Sequence, residues 1–171
     1  RRIIALLVMS CFVAGTFAKV PVMGNKIRLT DNWEFLRQDV GNIWELVRPI
    51  KKGQPEEQPI WTKVTLPHCF NAEDAVDPDL NYYQGPGWYK TRLKLDNPYP
   101  DGRMVLEFEG AGQKTDVYVY MTKVGSHVGG YDSWNVDITD AVRAFLASKE
   151  AERFGGEIPL SIRCDNTRDA E

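Results

Sequence analysis

The chain has 171 residues, of which 43% are hydrophobic and 11% aromatic. This length suits one domain, and this composition supplies enough apolar side chains for a single core, which argues against a disordered chain. The formal net charge is −3, with both signs mixed along the sequence, and this excludes the basic surface typical of a nucleic-acid-binding protein.

The N-terminus has the pattern of a secretory signal peptide. Arg1 and Arg2 precede a short apolar run that ends in small residues, and cleavage is expected after Ala18. This predicts a signal peptide over residues 1–18 and export to the periplasm or the medium. The alternative is a lipoprotein signal in which Cys11 is lipidated. The run is shorter than a membrane-spanning helix requires.

The remainder, residues 19–171, is predicted to be one domain of a longer exported protein. The sequence starts without Met and stops at Glu171 without a closing structural element, so we expect the domain to be truncated near its C-terminal end. We find neither a second hydrophobic segment nor an internal repeat of fixed period.

Alternating apolar and polar residues predict two short strands early in this domain. Ile27 and Leu29 belong to the first strand, and Trp33 and Phe35 belong to the second, where they bury aromatic surface. The polar and proline-rich residues 51–59 indicate a surface loop.

Further strands are predicted over residues 88–95, 103–109 and 158–164. In the second of these, Glu107 and Glu109 share the outward face. They could form a carboxylate pair, but we interpret them as solvated positions of an amphipathic strand. The inward residues of this strand are Met104, Leu106 and Phe108. Pro159 restricts the last strand, because proline is tolerated only near a strand's start or at a sheet edge.

Residues 110–139 contain two alternating segments separated by short breaks marked by glycine. Residues 115–120 and 133–139 each have the period-two pattern of a half-buried strand. A two-residue type I′ turn requires positive φ at both central residues, which Tyr120 and Met121 disfavour. We therefore expect a longer or different turn after the first segment.

Helical signals are few. Residues 43–47 are compatible with a single helical turn. Thr139 is placed to cap the N-terminus of one short helix, whose apolar face would be Val142, Phe145 and Leu146. Many short strands with one short helix predict an all-β fold, an antiparallel β-sandwich.

Several separate motifs resemble one known family. They are Trp61-x-x-Val64-x-Leu66-Pro67-His68, Gly85-Pro86-Gly87-Trp88-Tyr89-Lys90, Asp-Val-Tyr-Val at 116–119, Val-Gly-Ser-His at 124–127, Gly-Gly-Tyr at 129–131 and Val-Asp-Ile-Thr at 136–139. Together they resemble the N-terminal sugar-binding domain of glycoside hydrolase family 2, a jelly roll of the galactose-binding type. Two departures are Tyr120-Met121, where the family usually has Asn-Gly, and Cys69-Phe70, where it usually has Thr-Trp.

The resemblance implies the role of one domain in a larger enzyme. Family members include β-galactosidases, β-glucuronidases and β-mannosidases, and the expected parent is most like a β-galactosidase. A retaining glycosidase needs two carboxyl groups, and in this family both glutamates lie in a downstream barrel. No catalytic residue is therefore assigned here. The expected partners are the downstream sandwich and barrel domains and a carbohydrate substrate, with oligomers formed through the parent enzyme.

Two alternatives from other functional classes stay open. The chain could be a free-standing carbohydrate-binding module that holds glycans without cleaving them, because a sandwich fold serves many functions. It could also be a structural spacer or an oligomer-contact domain.

Four residues are candidates for lying near a substrate. Tyr82 and Tyr83 are in a loop beside polar neighbours, where aromatic rings could stack on a sugar. Asp165 and Asn166 follow the last strand and resemble an Asp-Asn pair of the family, whose next segment reaches the substrate pocket. The other aromatic residues considered for stacking on a sugar are more simply explained as core residues: Trp88, Tyr131 and Trp134.

Neither a metal nor a cofactor is expected. His68 and His127 lack further ligands at workable spacing, and we expect His68 to form a hydrogen bond within the turn at 66–71. Export would permit a Cys69–Cys164 disulfide. The preferred interpretation is a free Cys164, because it lies on the apolar face of its strand, where a thiol acts as a small hydrophobe.

Overall fold

The computed structural model describes residues 26–49, 59–95 and 101–167. The signal-peptide segment, Cys11 and most of the predicted loop at 51–59 lie outside the described residues. The elements are β1 (Trp33–Leu36), α1 (Trp44–Val47), β2 (Thr62–Val64), β3 (Pro86–Leu93), β4 (Val105–Phe108), β5 (Lys114–Val119), β6 (Thr122–Val128), β7 (Trp134–Asp137), α2 (Thr139–Leu146), α3 (Glu150–Arg153) and β8 (Ile158–Asp165). Across the described ranges, none of the helices has the length and apolar character needed to span a bilayer.

The strands form two antiparallel sheets, which confirms the predicted all-β sandwich. One sheet has six strands in the order β2-β1-β3-β8-β5-β6, and the other pairs β4 with β7. Strand β8 lies in the middle of the larger sheet, between β3 and β5. This position explains why it is buried on both faces. Pro159 is its second residue, as the rule for proline requires.

The hydrophobic core lies between the sheets and against α2. The predicted inward residues of β4 are half-buried against this core, and Glu107 and Glu109 are exposed. The core-facing residues buried most completely are Val117, Val119, Ile138, Val142, Ile158 and Leu160. Burial of such side chains is worth roughly 1.5–3 kcal/mol each and supplies the main force for sheet stacking.

The close approach of the two sheets depends on Gly125 in β6. A Cβ atom at this position would lie 2.6 Å from Cγ2 of Val136 in β7. We predict that Gly125→Ala lowers the free energy of unfolding by about 1–3 kcal/mol through overpacking. Gly130→Ala is the matched control, because its Cβ would meet only the Gln113 backbone nitrogen, at 4.0 Å.

Urea unfolding of Gly125→Ala and Gly130→Ala measures the difference between their free energies of unfolding. In a Val136→Ala background, the penalty of Gly125→Ala should shrink, since the clashing methyl group is gone. An unchanged penalty in that background would contradict the steric explanation.

The predicted first strand is absent. Residues 26–30 form no strand, and the side chain of Ile27 is 73% exposed. This segment is held to β4 by side chains: Lys26 forms an ion pair with Glu107 at 2.6 Å, and Arg28 forms one with Glu109. Residues 26–30 show the same alternation as a true strand, but they contact β4 through side-chain ion pairs and not through backbone hydrogen bonds. The sequence pattern does not distinguish these two arrangements.

The turn after β5 has two residues and is of a type other than I′. Val119 pairs with Thr122, so only Tyr120 and Met121 connect β5 to β6. Tyr120 has a φ of +52°, and Met121 is not in the left-handed region. Of the two expected alternatives, the longer turn is wrong and the turn of a type other than I′ is confirmed. The ring of Tyr120 packs 5.2 Å from that of Phe145, a contact that holds this conformation.

Strand β6 was not predicted from the sequence. Its residues are mostly polar or half-exposed, so no apolar alternation marks them. The strand forms because its backbone pairs with β5, with a bulge near Val117 and Tyr118. The two alternating segments of residues 110–139 consequently lie in different sheets, one as β5 and the other as β7.

The helices differ from the prediction in number and detail. The turn at 43–47 is confirmed as α1, but α3 was missed, so one short helix was an underestimate for the described residues. Thr139 is the first residue of α2 rather than its N-cap. Its hydroxyl instead accepts a hydrogen bond from the Met104 backbone at 2.8 Å. Val142 and Phe145 are buried as predicted, whereas Leu146 is 46% exposed.

Asp137 takes the capping role at the start of α2. Its carboxylate accepts a hydrogen bond from the Thr139 backbone N–H at 2.9 Å. Hydrogen bonds from Thr139 and from Arg103 lower the pKa of Asp137 to about 2. Asp137 is the last residue of β7, and Asp140 lies in the first turn of α2.

Candidate functional site

Two parts of the chain that are distant in sequence meet at one end of the large sheet. Pro86 at the start of β3 pairs with Asp165 at the end of β8. This register places the loop at residues 71–85 beside residues 165–167. Tyr83 and Asn166, both predicted near a substrate, are thereby brought together.

Asn166 holds this loop through its side-chain amide. The amide oxygen accepts a hydrogen bond from the Gly85 backbone N–H at 2.8 Å. The amide nitrogen donates to the Asn71 side-chain oxygen at 2.8 Å and to the Tyr83 carbonyl at 2.9 Å. One side chain at the end of β8 therefore satisfies three groups of the loop.

Asp74 is the second anchor of the loop. Its carboxylate accepts two hydrogen bonds from Arg37, at 2.7 and 2.9 Å, one from the Asn71 amide at 3.0 Å and one from the Tyr83 backbone N–H at 3.0 Å. The hydrogen bonds from Arg37 and Tyr83 hold the pKa of Asp74 below its usual value. The loop is therefore fixed by a buried, ionised carboxylate.

We define the loop-anchor network as Arg37, Asn71, Asp74, Tyr83 and Asn166. Tyr83 and Asn166 are predicted from the sequence, and the other three residues are not. Asn and Asp in a loop commonly bond to nearby backbone groups, and this was the only local signal for Asn71 and Asp74. Nothing in the sequence near Arg37 indicated its partner, which lies 37 positions away.

The two loop tyrosines have different surroundings. Tyr83 is half-buried, its hydroxyl donates to the Pro86 carbonyl at 2.8 Å, and burial raises its pKa. Tyr82 has 52% of its surface exposed. Only Tyr82 therefore presents a ring that a ligand could contact without rearrangement of the loop.

Asp165 belongs to a second cluster of polar residues at the same end of the large sheet. Its carboxylate lies 3.1 Å from the Arg163 guanidinium and accepts a hydrogen bond from the Thr167 backbone N–H at 2.9 Å. Partial burial acts to raise the pKa of Asp165, but the Thr167 hydrogen bonds and the Arg163 charge outweigh it, so the pKa is lowered. Arg163 also contacts Asp39 at 3.3 Å.

The other aromatic candidates divide by burial. Trp88 is 2% exposed and cannot stack on a ligand. Trp134 is half-buried, between the rings of Phe108 at 4.2 Å and His127 at 4.9 Å. Tyr131 is 99% exposed at the loop between β6 and β7. The prediction that these aromatic residues belong to the core is therefore confirmed for Trp88 and Trp134 and wrong for Tyr131.

The histidines have structural partners. His68 Nδ1 lies 2.9 Å from the Tyr89 hydroxyl of β3, so the expected bond within the turn is wrong, and burial lowers the pKa of His68. His127 lies 3.0 Å from the Asp132 carboxylate. Among residues 26–49, 59–95 and 101–167, no three His, Cys, Asp or Glu side chains come together in a group that could hold a metal.

The two cysteines within the described residues, Cys69 and Cys164, are free. Cys69 is exposed in a turn, and Cys164 is buried on the inner face of β8. Burial raises the pKa of the Cys164 thiol to about 11. The disulfide alternative is therefore wrong, because the two side chains lie in different environments and are not bonded.

Comparison with known proteins agrees with the motifs. The family described as "Glycosyl hydrolases family 2, sugar binding domain" matches residues 31–149. The fold is similar to that of Parabacteroides merdae β-glucuronidase, with 76% identity, a TM-score of 0.81 and coverage of 85% of this chain and 18% of that one. Bacteroides uniformis β-glucuronidase 3 is similar at 67% identity and a TM-score of 0.81, over 85% of this chain and 19% of that one.

Curated relatives give the same picture at lower identity. A putative β-glucuronidase of Formosa agariphila is 30% identical over 85% of this chain and 15% of its own length. A β-galactosidase of Thermoanaerobacter pseudethanolicus is 26% identical over 66% of this chain and 14% of its own length. The chain thus spans less than a fifth of each of these proteins. It belongs to glycoside hydrolase family 2 and is the sugar-binding domain of that family.

Proposed function

We propose that this chain is the N-terminal domain of a longer glycoside hydrolase that cleaves terminal β-glucuronides. The sequence motifs predict a parent most like a β-galactosidase. Identities of 76% and 67% to two β-glucuronidases, against 26% to a β-galactosidase, favour the glucuronide instead. Its downstream partners would be a second sandwich and a catalytic barrel of the same protein.

The observation that carries the proposed role is the loop-anchor network. Asn71 and Asp74 are buried, although they belong to a loop, and their polar groups are paired. A loop fixed in this way is suited to support a ligand site, because supporting hydrogen bonds hold side chains in a productive geometry. The network lies where β8 ends, so a following segment would leave the domain beside it.

The domain would contribute position rather than chemistry. A retaining glycosidase uses one carboxyl group as acid and base and another as nucleophile, and both would come from the barrel. Residues Tyr82, Tyr83, Asp165 and Asn166 would form one wall of the pocket. Holding that wall in place orients the substrate and excludes water from the reacting centre.

We also propose that the parent is exported, with residues 1–18 removed and the mature domain beginning at residue 19. Support comes from the two basic residues and the apolar run that ends at Ala18. Mass spectrometry of the mature N-terminus distinguishes this from lipidation at Cys11. A mature protein that starts at Cys11 with attached acyl chains would contradict cleavage after Ala18.

The test is hydrolysis of matched aryl glycosides by the full-length protein. We expect kcat/KM for the β-glucuronide to exceed that for the β-galactoside by at least about 100-fold, because a site built to pair a substrate carboxylate rejects a sugar that lacks it. A preference for the galactoside would contradict the glucuronide assignment. Glycan binding without hydrolysis of either substrate would instead support the carbohydrate-binding module.

A further inference from the structure

A polar cavity of about 420 Å³ lies on the outer face of the large sheet. Its floor comes from three adjacent strands. Glu34 pairs with Lys90, and Lys90 pairs with Ser161, so these three side chains stand side by side on β1, β3 and β8. Their sequence neighbours Tyr89 and Leu160 are buried in the core, which places the floor on the opposite face.

Two walls rise from this floor. One is α1, which contributes Leu46, and the other is the segment after α3, which contributes Phe154 and Glu157. Gly155 and Gly156 have φ values of +62° and +77°, which turn the chain so that Glu157 lies over the strands. The walls are joined, because the Arg153 guanidinium donates to the Val47 carbonyl at 2.6 Å.

The polar groups of the cavity alternate in charge and lie against aromatic rings. Lys90 Nζ lies 3.3 Å from the Glu34 carboxylate and 3.9 Å from the centre of the Trp61 ring. Arg92, at the rim, lies 3.9 Å from Glu157 and 5.2 Å from the centre of the Phe154 ring. These carboxylates, cations and rings supply acceptors, donors and apolar faces in one small space.

Ser161 forms part of the cavity floor. The residue is 3% exposed and lines the cavity. A hydroxyl group can both donate and accept a hydrogen bond, so a ligand hydroxyl at the floor would find a partner here.

We propose that this cavity is a second saccharide-binding site that takes one hydroxyl-rich sugar residue. Its volume lies within the roughly 300–1,000 Å³ of small-molecule sites. Sugar hydroxyls both donate and accept hydrogen bonds, as hydroxyl groups generally do, and this matches the mixture of cations and carboxylates. None of the five residues of the loop-anchor network lines this cavity, and Arg92 at its rim is six residues from Pro86 on β3, about 20 Å at the rise of a strand.

The test compares variants of the full-length protein by calorimetric titration with methyl β-D-glucuronide and methyl β-D-glucoside. Arg92→Ala should weaken the binding component assigned to the cavity by at least tenfold, and Leu46→Trp should abolish it by filling the space. Arg28→Ala is the control, because Arg28 also forms an exposed ion pair, with Glu109 just after β4, and does not line the cavity. Turnover of an aryl β-glycoside should stay within twofold of wild type in all three.

Several results would overturn the site. One is a titration that shows no binding component beyond that of the catalytic site. The others are equal sugar binding by wild type and Arg92→Ala, and binding of inorganic phosphate but of neither sugar. If Arg92→Ala loses both turnover and sugar binding, the cavity is not separate from the catalytic site. Because turnover is measured independently, failure of the proposed hydrolysis would be recognised separately from failure of this site.

Discussion

Replacing Leu160 by Ala should lower the free energy of unfolding by about 2–5 kcal/mol, because the truncation leaves a cavity in the core. Leu160 is 1% exposed on the central strand β8. It is paired with Thr91 of β3 on one side and Val119 of β5 on the other. Both neighbouring strands depend on it, so the site has little freedom to collapse around the missing atoms.

Urea unfolding followed by tryptophan fluorescence measures this loss. Leu146→Ala is the matched control, because the same atoms are removed from a side chain that is 46% exposed on α2. We expect the control to change stability by no more than about 0.5 kcal/mol. Equal losses in the two variants would contradict the assignment of Leu160 to the core and of Leu146 to the surface.

Replacing Asn166 by Ala should have the largest effect on the activity of the full-length enzyme. The change removes the acceptor for Gly85 and the donor to Asn71 and Tyr83. Each buried group left without a partner costs about 1–3 kcal/mol, so the loop should move to find water. A displacement of about 1 Å at a positioning residue can lower the rate roughly 100-fold, and we expect kcat/KM to fall by about 10- to 100-fold.

Steady-state kinetics and thermal unfolding should be measured together. Asn166→Asp keeps an acceptor for Gly85 but loses the two donated hydrogen bonds, so its activity should be intermediate. Asn135→Ala, at an exposed position of β7, is the control and should match wild type. If Asn166→Ala keeps full kcat/KM, the loop-anchor network does not support the active site.

Strong local patterns identified most of the β-strands. Strands β1, β3, β4, β5, β7 and β8 were predicted because their residues alternate between two faces, and this period is a property of neighbouring residues. Strand β6 lacks that period and forms through its backbone bonds to β5. Residues 26–30 have the period but no strand partner, because their charged side chains reach β4 instead.

The candidate site was predicted only in part, for a related reason. Tyr82, Tyr83, Asp165 and Asn166 stood out through composition and family motifs. Their supports did not, because Asn166 contacts Asn71 across 95 positions and Arg37 contacts Asp74 across 37. No local period encodes contacts of that range. Burial of the Asp74 charge is acceptable only where a cation and several donors converge.

The sequence by itself determined the family, the sandwich class and the faces of the regular strands, since these depend on motifs and on alternation over a few residues. The tertiary structure alone decided which strand lies at the centre, how the loop at 71–85 is held, and where Glu34, Lys90 and Ser161 form a cavity floor. Those features depend on strand order and register, which follow from packing between distant segments rather than from any local pattern.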